Sequence, residues 1–303
     1  MSLALPTVTE AYLLFMSDLR ESTARTRELG SELRRVRENA RYSGKELATK
    51  LGWSQSKVSR METGSRTISE VDAATYLAYC GVAGDELNRI LELTSACHDE
   101  YWLQARGQRL ADELHSLIVQ ETTAQVITYY EPMVIPGLLQ TEDYARALFH
   151  ECDLLPAEAI EPLVRTRMER QRLLRRQYPP KVTFYVHENA LRMQVGDTRT
   201  MQEQLLHMLL VCAATECRLR VISTSVGART SMIGQFTWMA HSEHNPVIYV
   251  EHLTTSLFLE CRDDMVAYRR QLDRLNVLAL DEGQSREVIA SVASEYDQEE
   301  GGV

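Results

Sequence analysis

Leu29, Leu33, Val36 and Ala40 recur at helical spacing with arginines on the opposite face, which predicts a helix over residues 29–41. Ser43-Gly44-Lys45-Glu46 follows in the form of a capping box, Ser43 accepting from a first-turn amide while Glu46 reaches back. A second helix should run from there to Leu51, with Leu47, Ala48 and Leu51 turned inward. Gly52 ends it, because a residue without Cβ takes the left-handed conformation at no steric cost. Ser54 then stands as the N-cap of a third helix, Gln55 to Thr63, which Gly64 closes. Trp53 and Val58 have the spacing of a hydrophobic staple at its start.

Helices joined this tightly must cross steeply, and the small Ala48 permits the approach. Val58 and Met61 face the core at i and i+3, so Gln55, Ser56, Lys57, Ser59 and Arg60 point outward near the start of an exposed helix. That is the part of a recognition helix that enters the major groove of DNA. The chemistry suits it: Gln pairs bidentately with adenine, Arg or Lys with guanine, and Ser with several base edges or a phosphate. The amides near Ser43 and Gly44, at the start of the second helix, suit a backbone phosphate. A helical hairpin that does not touch DNA is the alternative reading.

Charge sharpens the picture. The 303-residue chain carries a net charge of −10, which argues against a nucleic-acid partner until its distribution is seen. Residues 29–68 hold nine Lys/Arg against four Glu, a basic island on an acidic chain. With 44% hydrophobic and 25% charged residues the composition is globular, and the length allows more than one domain. The longest apolar runs, such as His207 to Ala214, fall far short of the roughly 20 residues that span a bilayer. No secretion signal is seen at the N-terminus, so a cytoplasmic, nucleoid-associated protein is expected. The six cysteines lie scattered without CxxC spacing and read as buried free thiols in a reducing compartment.

Before the island, Val8, Tyr12, Phe15, Met16 and Leu19 fall on one helical face and make residues 1–28 an amphipathic extension. It packs on its own domain, serves dimerisation, or precedes a true start at Met16. After residue 100 the pattern becomes α+β. Helices are expected around Leu110–Glu121, from Thr141, over Ala157–Gln177, Arg199–Cys217, Asp263–Leu280 and Ser285–Tyr296. Strands are expected at Val182–His187, Leu219–Thr224, Gln235–Ala240 and Val247–Glu251. The fold class is therefore a mainly α helix-turn-helix domain of five helices followed by a larger α+β domain with a sheet of about four or five strands. The expected domains are 1–28, 29–96 and 100–296, with a polar tail at 297–303.

The run Ser43 to Gly64, with Arg66, Thr67 and Ile68 after it, resembles the Xre/Cro/CI family of helix-turn-helix repressors. The resemblance implies a five-helix domain over about residues 29–96, with further helices at Ser69–Cys80 and Asp85–Ala96. Carried over by position, it implies base reading by Gln55, Ser56 and Arg60, a base or phosphate contact for Lys57, and phosphate contacts near Ser43, Gly44 and Arg66. Ser59, on the same outward face, is a further phosphate candidate. It also implies a structural ion pair between Arg37 and Glu62.

The C-terminal part is similar to the domain of unknown function found in antitoxin-like regulators of actinomycetes. The carriers are Pro136–Ala147, Arg165–Leu174, His187–Gly196, Met201–Leu209, Ile233–Met239 and Ile248–Leu253. That resemblance implies transcriptional control and, often, binding of a small acidic protein encoded nearby.

Catalytic motifs are missing: there is no G-x-S-x-G, P-loop, G-x-G-x-x-G or HExxH. His241 and His244 could ligate a metal, but their setting beside Pro246 reads better as a polar turn without a third ligand. His187-Glu188 is either an acid/base pair or a satisfied structural hydrogen bond. The arginines from Arg165 to Arg176 form a partner-binding face or a solvated helix surface. Neither a cofactor nor a metal is expected, and the chain is not expected to be an enzyme. Three classes compete: a transcription factor acting as a homodimer on a palindromic double-stranded operator; an antitoxin-type protein that sequesters a small partner; and an enzyme with an appended DNA-binding domain.

Overall fold

The computed structural model describes residues 23–65, 68–95, 101–105, 110–153, 156–230, 233–242, 245–252 and 255–300. Among the described residues five helices come first: α1 (Ala24–Asn39), α2 (Gly44–Leu51), α3 (Gln55–Glu62), α4 (Glu70–Tyr79) and α5 (Gly84–Ser95). Strand β1 (Tyr101–Ala105), helix α6 (Leu110–Thr123) and strand β2 (Val126–Glu131) follow. Next come α7 (Glu142–Glu151), α8 (Ala157–Arg170), β3 (Lys181–His187), the short α9 (Glu188–Arg192), α10 (Thr198–Ala214) and β4 (Arg218–Ile222). The chain ends with β5 (Phe236–Ala240), β6 (Val247–Glu251), β7 (Thr255–Leu259), α11 (Arg262–Leu278) and α12 (Glu282–Glu300). As expected, a helical N-terminal region precedes an α+β C-terminal domain.

The chain divides into two compact units: residues 1–123 with 240–247 and 252–262, and residues 124–239 with 248–251 and 263–303. The first unit thus reaches beyond the expected 29–96 domain and takes in α6, β1 and β7. Its core gathers Leu29, Leu33 and Val36 of α1, Leu47 and Ala48 of α2, Val58 and Met61 of α3, and Tyr76 and Leu77 of α4. Strands β1 and β7 pair antiparallel, Tyr101 opposite Leu259 and Ala105 opposite Thr255.

Helix α1 begins at Ala24, five residues before the expected start at Leu29. Thr23 caps it, its hydroxyl accepting from the Thr26 amide while the Thr26 hydroxyl accepts from the Thr23 amide. Thr at the third helical position makes a weaker signature than Glu or Gln. Of the buried residues ahead of Leu29, Ala24 is small and Thr26, Arg27 and Glu28 are polar, so they add little to apolar periodicity. Residues 24–28 therefore belong to this helix and not to the extension; the expected amphipathic helix at Val8–Leu19 lies outside the described residues.

In the second unit β6, β5, β2, β3 and β4 lie side by side in that order. Strands β2, β3 and β4 run parallel, with Tyr129 opposite Phe184 and Tyr185 opposite Arg220. Parallel neighbours need crossover connections, which α7 and α8 supply between β2 and β3, and α10 between β3 and β4. Strand β2 was not among the expected strands. Exposure alternates from Val126 to Tyr129 and breaks where Tyr129 and Tyr130 are both buried, so the period-2 signal is only four residues long. The helix expected to reach Gln177 ends at Arg170 and continues as a 3-10 turn over Gln171–Arg175. Residues 297–300 of the expected tail belong to α12.

Candidate nucleic-acid interface

The caps read from the sequence are in place. The Ser43 hydroxyl accepts from the Glu46 amide at 3.2 Å and the Glu46 carboxylate accepts from the Ser43 amide at 2.8 Å. Gly52 takes the left-handed conformation at φ 69°, and the Ser54 hydroxyl accepts from the Lys57 amide at 3.1 Å. These constraints fix where α3 starts and which way it faces. Val58 and Met61 are buried, and Gln55, Ser56, Ser59 and Arg60 stand exposed on the opposite side. The Arg60 guanidinium lies back along the helix, its Nε donating to the Ser56 carbonyl at 3.3 Å. At the start of α2 the capping box takes up the amides of Ser43 and Glu46. Those of Gly44 and Lys45 remain at the exposed first turn, where a phosphate would approach. A Cβ at Gly44 would meet nothing within 4 Å, so this turn faces open space.

Arg37 and Glu62 form a bidentate pair at 2.7 and 2.8 Å. Both side chains are about nine-tenths buried, at 10% exposure each. Arg37 also donates to the Tyr42 carbonyl at 2.7 Å, and the Tyr76 hydroxyl donates to Glu62 at 2.6 Å. Burial and the neighbouring Glu62 carboxylate push the Tyr76 phenol well above its usual range, so it stays a donor. The cluster ties α1, α3 and α4 together behind the exposed face.

Among the described residues, ion pairs engage Arg34, Arg35, Arg37 and Lys57 and leave Arg41, Lys45, Lys50 and Arg60 without a carboxylate partner. Arg41 follows α1, Lys45 and Lys50 lie on α2, and Arg60 lies on the outward face of α3. Arg41 was not among the site residues expected from the sequence. It holds φ 60° at the turn after α1, a conformation that favours glycine. Arg41→Gly is expected to raise stability by about 0.5–1 kcal/mol while weakening DNA binding and lowering the salt slope by about one ion. Denaturant titration and DNA titrations at several salt concentrations read the two effects separately.

Lys57 sits differently from its neighbours. Its ammonium lies 2.9 Å from Asp72 of α4 and 3.8 Å from the Trp53 ring centroid, which clips α3 to its surroundings. An exposed pair contributes about 0.2–1 kcal/mol and a cation–π contact about 0.5–1 kcal/mol. Lys57→Ala should therefore lower stability by about 1 kcal/mol and leave the salt slope of DNA binding unchanged. A lower slope at unchanged stability would make Lys57 a phosphate contact instead. Arg66 lies outside the described residues.

The other sequence candidates find structural partners. His187 Nδ1 accepts from the Asn189 amide at 3.1 Å and caps α9. Glu188 accepts from the Thr224 amide at 2.9 Å and from the Ser223 and Thr224 hydroxyls. That is the structural alternative for this pair. His241 Nδ1 stands 3.3 Å from the Thr123 hydroxyl, and His244 lies outside the described residues. No group of three metal-ligating side chains occurs among the described residues. Within the arginine run Arg167 turns inward, donating to the Gln140 side-chain oxygen Oε1 at 2.6 Å and covering the Phe149 ring. Burial pushes this guanidinium down to about 10. Burial and Glu251 push the Glu131 carboxyl, at the end of β2, up to about 8. Of the described cysteines, Cys152 is exposed and Cys80, Cys212, Cys217 and Cys261 are half-buried, all as free thiols. No helix among the described residues is long and apolar enough to cross a membrane.

Comparison with known families agrees with this division of labour. Residues 28–90 match a family described as a helix-turn-helix domain. Residues 114–291, more than half of the chain, match a family described as a domain of unknown function, DUF5753. No curated protein and no solved structure matches the chain.

Proposed function

The chain belongs to the DUF5753 family, and on that premise, with its helix-turn-helix, we propose a sequence-specific DNA-binding transcriptional regulator. The helix-turn-helix points to a regulator rather than an enzyme. The observation that carries the reading is the outward face of α3, where Gln55, Ser56, Ser59 and Arg60 stand exposed opposite the buried Val58 and Met61. Gln55, Ser56 and Arg60 read base edges, and Ser59 with the first-turn amides of Gly44 and Lys45, beside the Ser43 cap, holds phosphates. Arg41, Lys45 and Lys50 add the sequence-independent attraction.

A single module of this size buries little surface and binds weakly, so two copies act on an inverted repeat with half-sites about one helical turn apart. The C-terminal α+β domain carries dimerisation and the response to a partner protein or ligand. Gln55→Ala or Arg60→Ala should cost about 1–3 kcal/mol at the cognate site and relax base choice there. Equal losses on cognate and random DNA would remove that residue from base reading.

A further inference from the structure

The first turn of α1 is held from far away in sequence. Glu260, at the end of β7, accepts from the Ala24 amide at 2.6 Å and from the Arg27 guanidinium at 2.9 Å. Gln120 of α6 closes the arrangement: its oxygen accepts from Arg27 Nε at 3.0 Å and its amide donates to the Ala24 carbonyl at 3.3 Å. Gln120 is fully buried, and the Arg27 and Glu260 side chains are only 2% and 11% exposed. An amide at a helix start has no partner within its own helix. A carboxylate placed there satisfies it, gains from the helix dipole, and neutralises the buried guanidinium.

The same turn seats the end of the recognition helix. The Thr26 hydroxyl lies 3.0 Å from the Gly64 carbonyl, sharing its proton between that oxygen and the Thr23 carbonyl at 2.8 Å. Gly64, which closes α3 at φ 64°, packs so closely that a Cβ would stand 2.5 Å from the Thr26 carbonyl and 2.6 Å from Arg27 backbone atoms. Backbone in such contact moves together, since neither side has a rotamer with which to yield.

We infer that Glu260 and Gln120 are positioning residues for the recognition helix: the region matched as a domain of unknown function caps α1 and, through Thr26 and Gly64, sets where α3 ends. The helix-turn-helix match begins at residue 28, after Ala24 and Arg27, so it leaves this cap out. The consequence for DNA rests on the DNA-binding reading; the geometry does not.

The test uses the full-length chain with Glu260→Gln, and Gln120→Ala as a second variant should the first fail to fold. Amide exchange is followed over residues 24–28, 61–65 and 84–95, without DNA. Losing a charge-assisted hydrogen bond should speed exchange about tenfold at 24–28 and 61–65 and leave α5 unchanged. Affinity for the selected operator should fall by about tenfold at an unchanged salt slope, because no phosphate contact is lost. Unchanged exchange at 61–65, or a uniform rise that includes α5, would overturn the inference. Wild-type chain that selects no DNA would defeat the DNA-binding reading, and the exchange data would still decide the positioning role.

Discussion

Replacing Glu62 by Ala is expected to cost the first unit about 3–5 kcal/mol. The carboxylate holds both arms of the Arg37 guanidinium and accepts from the Tyr76 hydroxyl. Its removal leaves a nine-tenths buried cation with the Tyr42 carbonyl and a distant, more exposed Glu38 at 3.7 Å. An uncompensated buried charge is among the costliest single changes a small domain meets. Chemical denaturation should show a lower midpoint at unchanged slope. Base preference at the operator should stay as in the wild type, since Glu62 lies behind the exposed face of α3. A loss under about 1 kcal/mol, or a shifted base preference at constant stability, would contradict the structural role.

Gly30→Ala is the second large effect, and its sign runs against helix propensity. In an unconstrained helix interior alanine is better than glycine by about 1 kcal/mol. Here a Cβ would stand 2.6 Å from the Glu62 carbonyl oxygen and 2.7 Å from that of Met61. Both contacts are to backbone, so α1 and α3 would have to separate. Overlap with two backbone carbonyls puts the cost at the upper end of the about 1–3 kcal/mol of overpacking, which leaves a net loss of about 1–2 kcal/mol after the propensity gain. Gly44→Ala is the control, because a Cβ there meets nothing within 4 Å. Thermal unfolding of both variants decides the point: equal stability of Gly30→Ala and wild type would mean that α1 and α3 do not touch as described.

Three glycines of this unit mark what is legible in the sequence and what is not. Gly52 and Gly64 were legible because a helix stop beside a serine cap is a local pattern. Gly30 carries no such signal: its role is an approach to residues 31 and 32 positions away, and nothing around it in the sequence announces that. The outward face of α3 was readable for the same local reason, since Val58 and Met61 must turn inward and leave their neighbours outside.

Long-range partners were the hidden part. Asp72 gives Lys57 a partner inside the unit, and Glu260 reaches Ala24 across 236 residues. Polar networks of this kind have no periodicity, so the large apolar residues mark the start of α1 at Leu29 instead of at its Thr23 cap. In the C-terminal domain the β-rich runs of β5 and β6 are legible although both strands are buried along most of their length, whereas β2, whose first residue is exposed, is not. Arg167 shows the converse, one member of a charged helical run turned into the interior.

The most direct test of DNA reading is selection of duplexes from a random pool by the purified full-length protein, repeated with Gln55→Ala. Enrichment of one inverted repeat by the wild type, with relaxed choice at a symmetric pair of positions for the variant, is the expected result. Recovery of unrelated duplexes by both proteins would contradict sequence-specific recognition by α3.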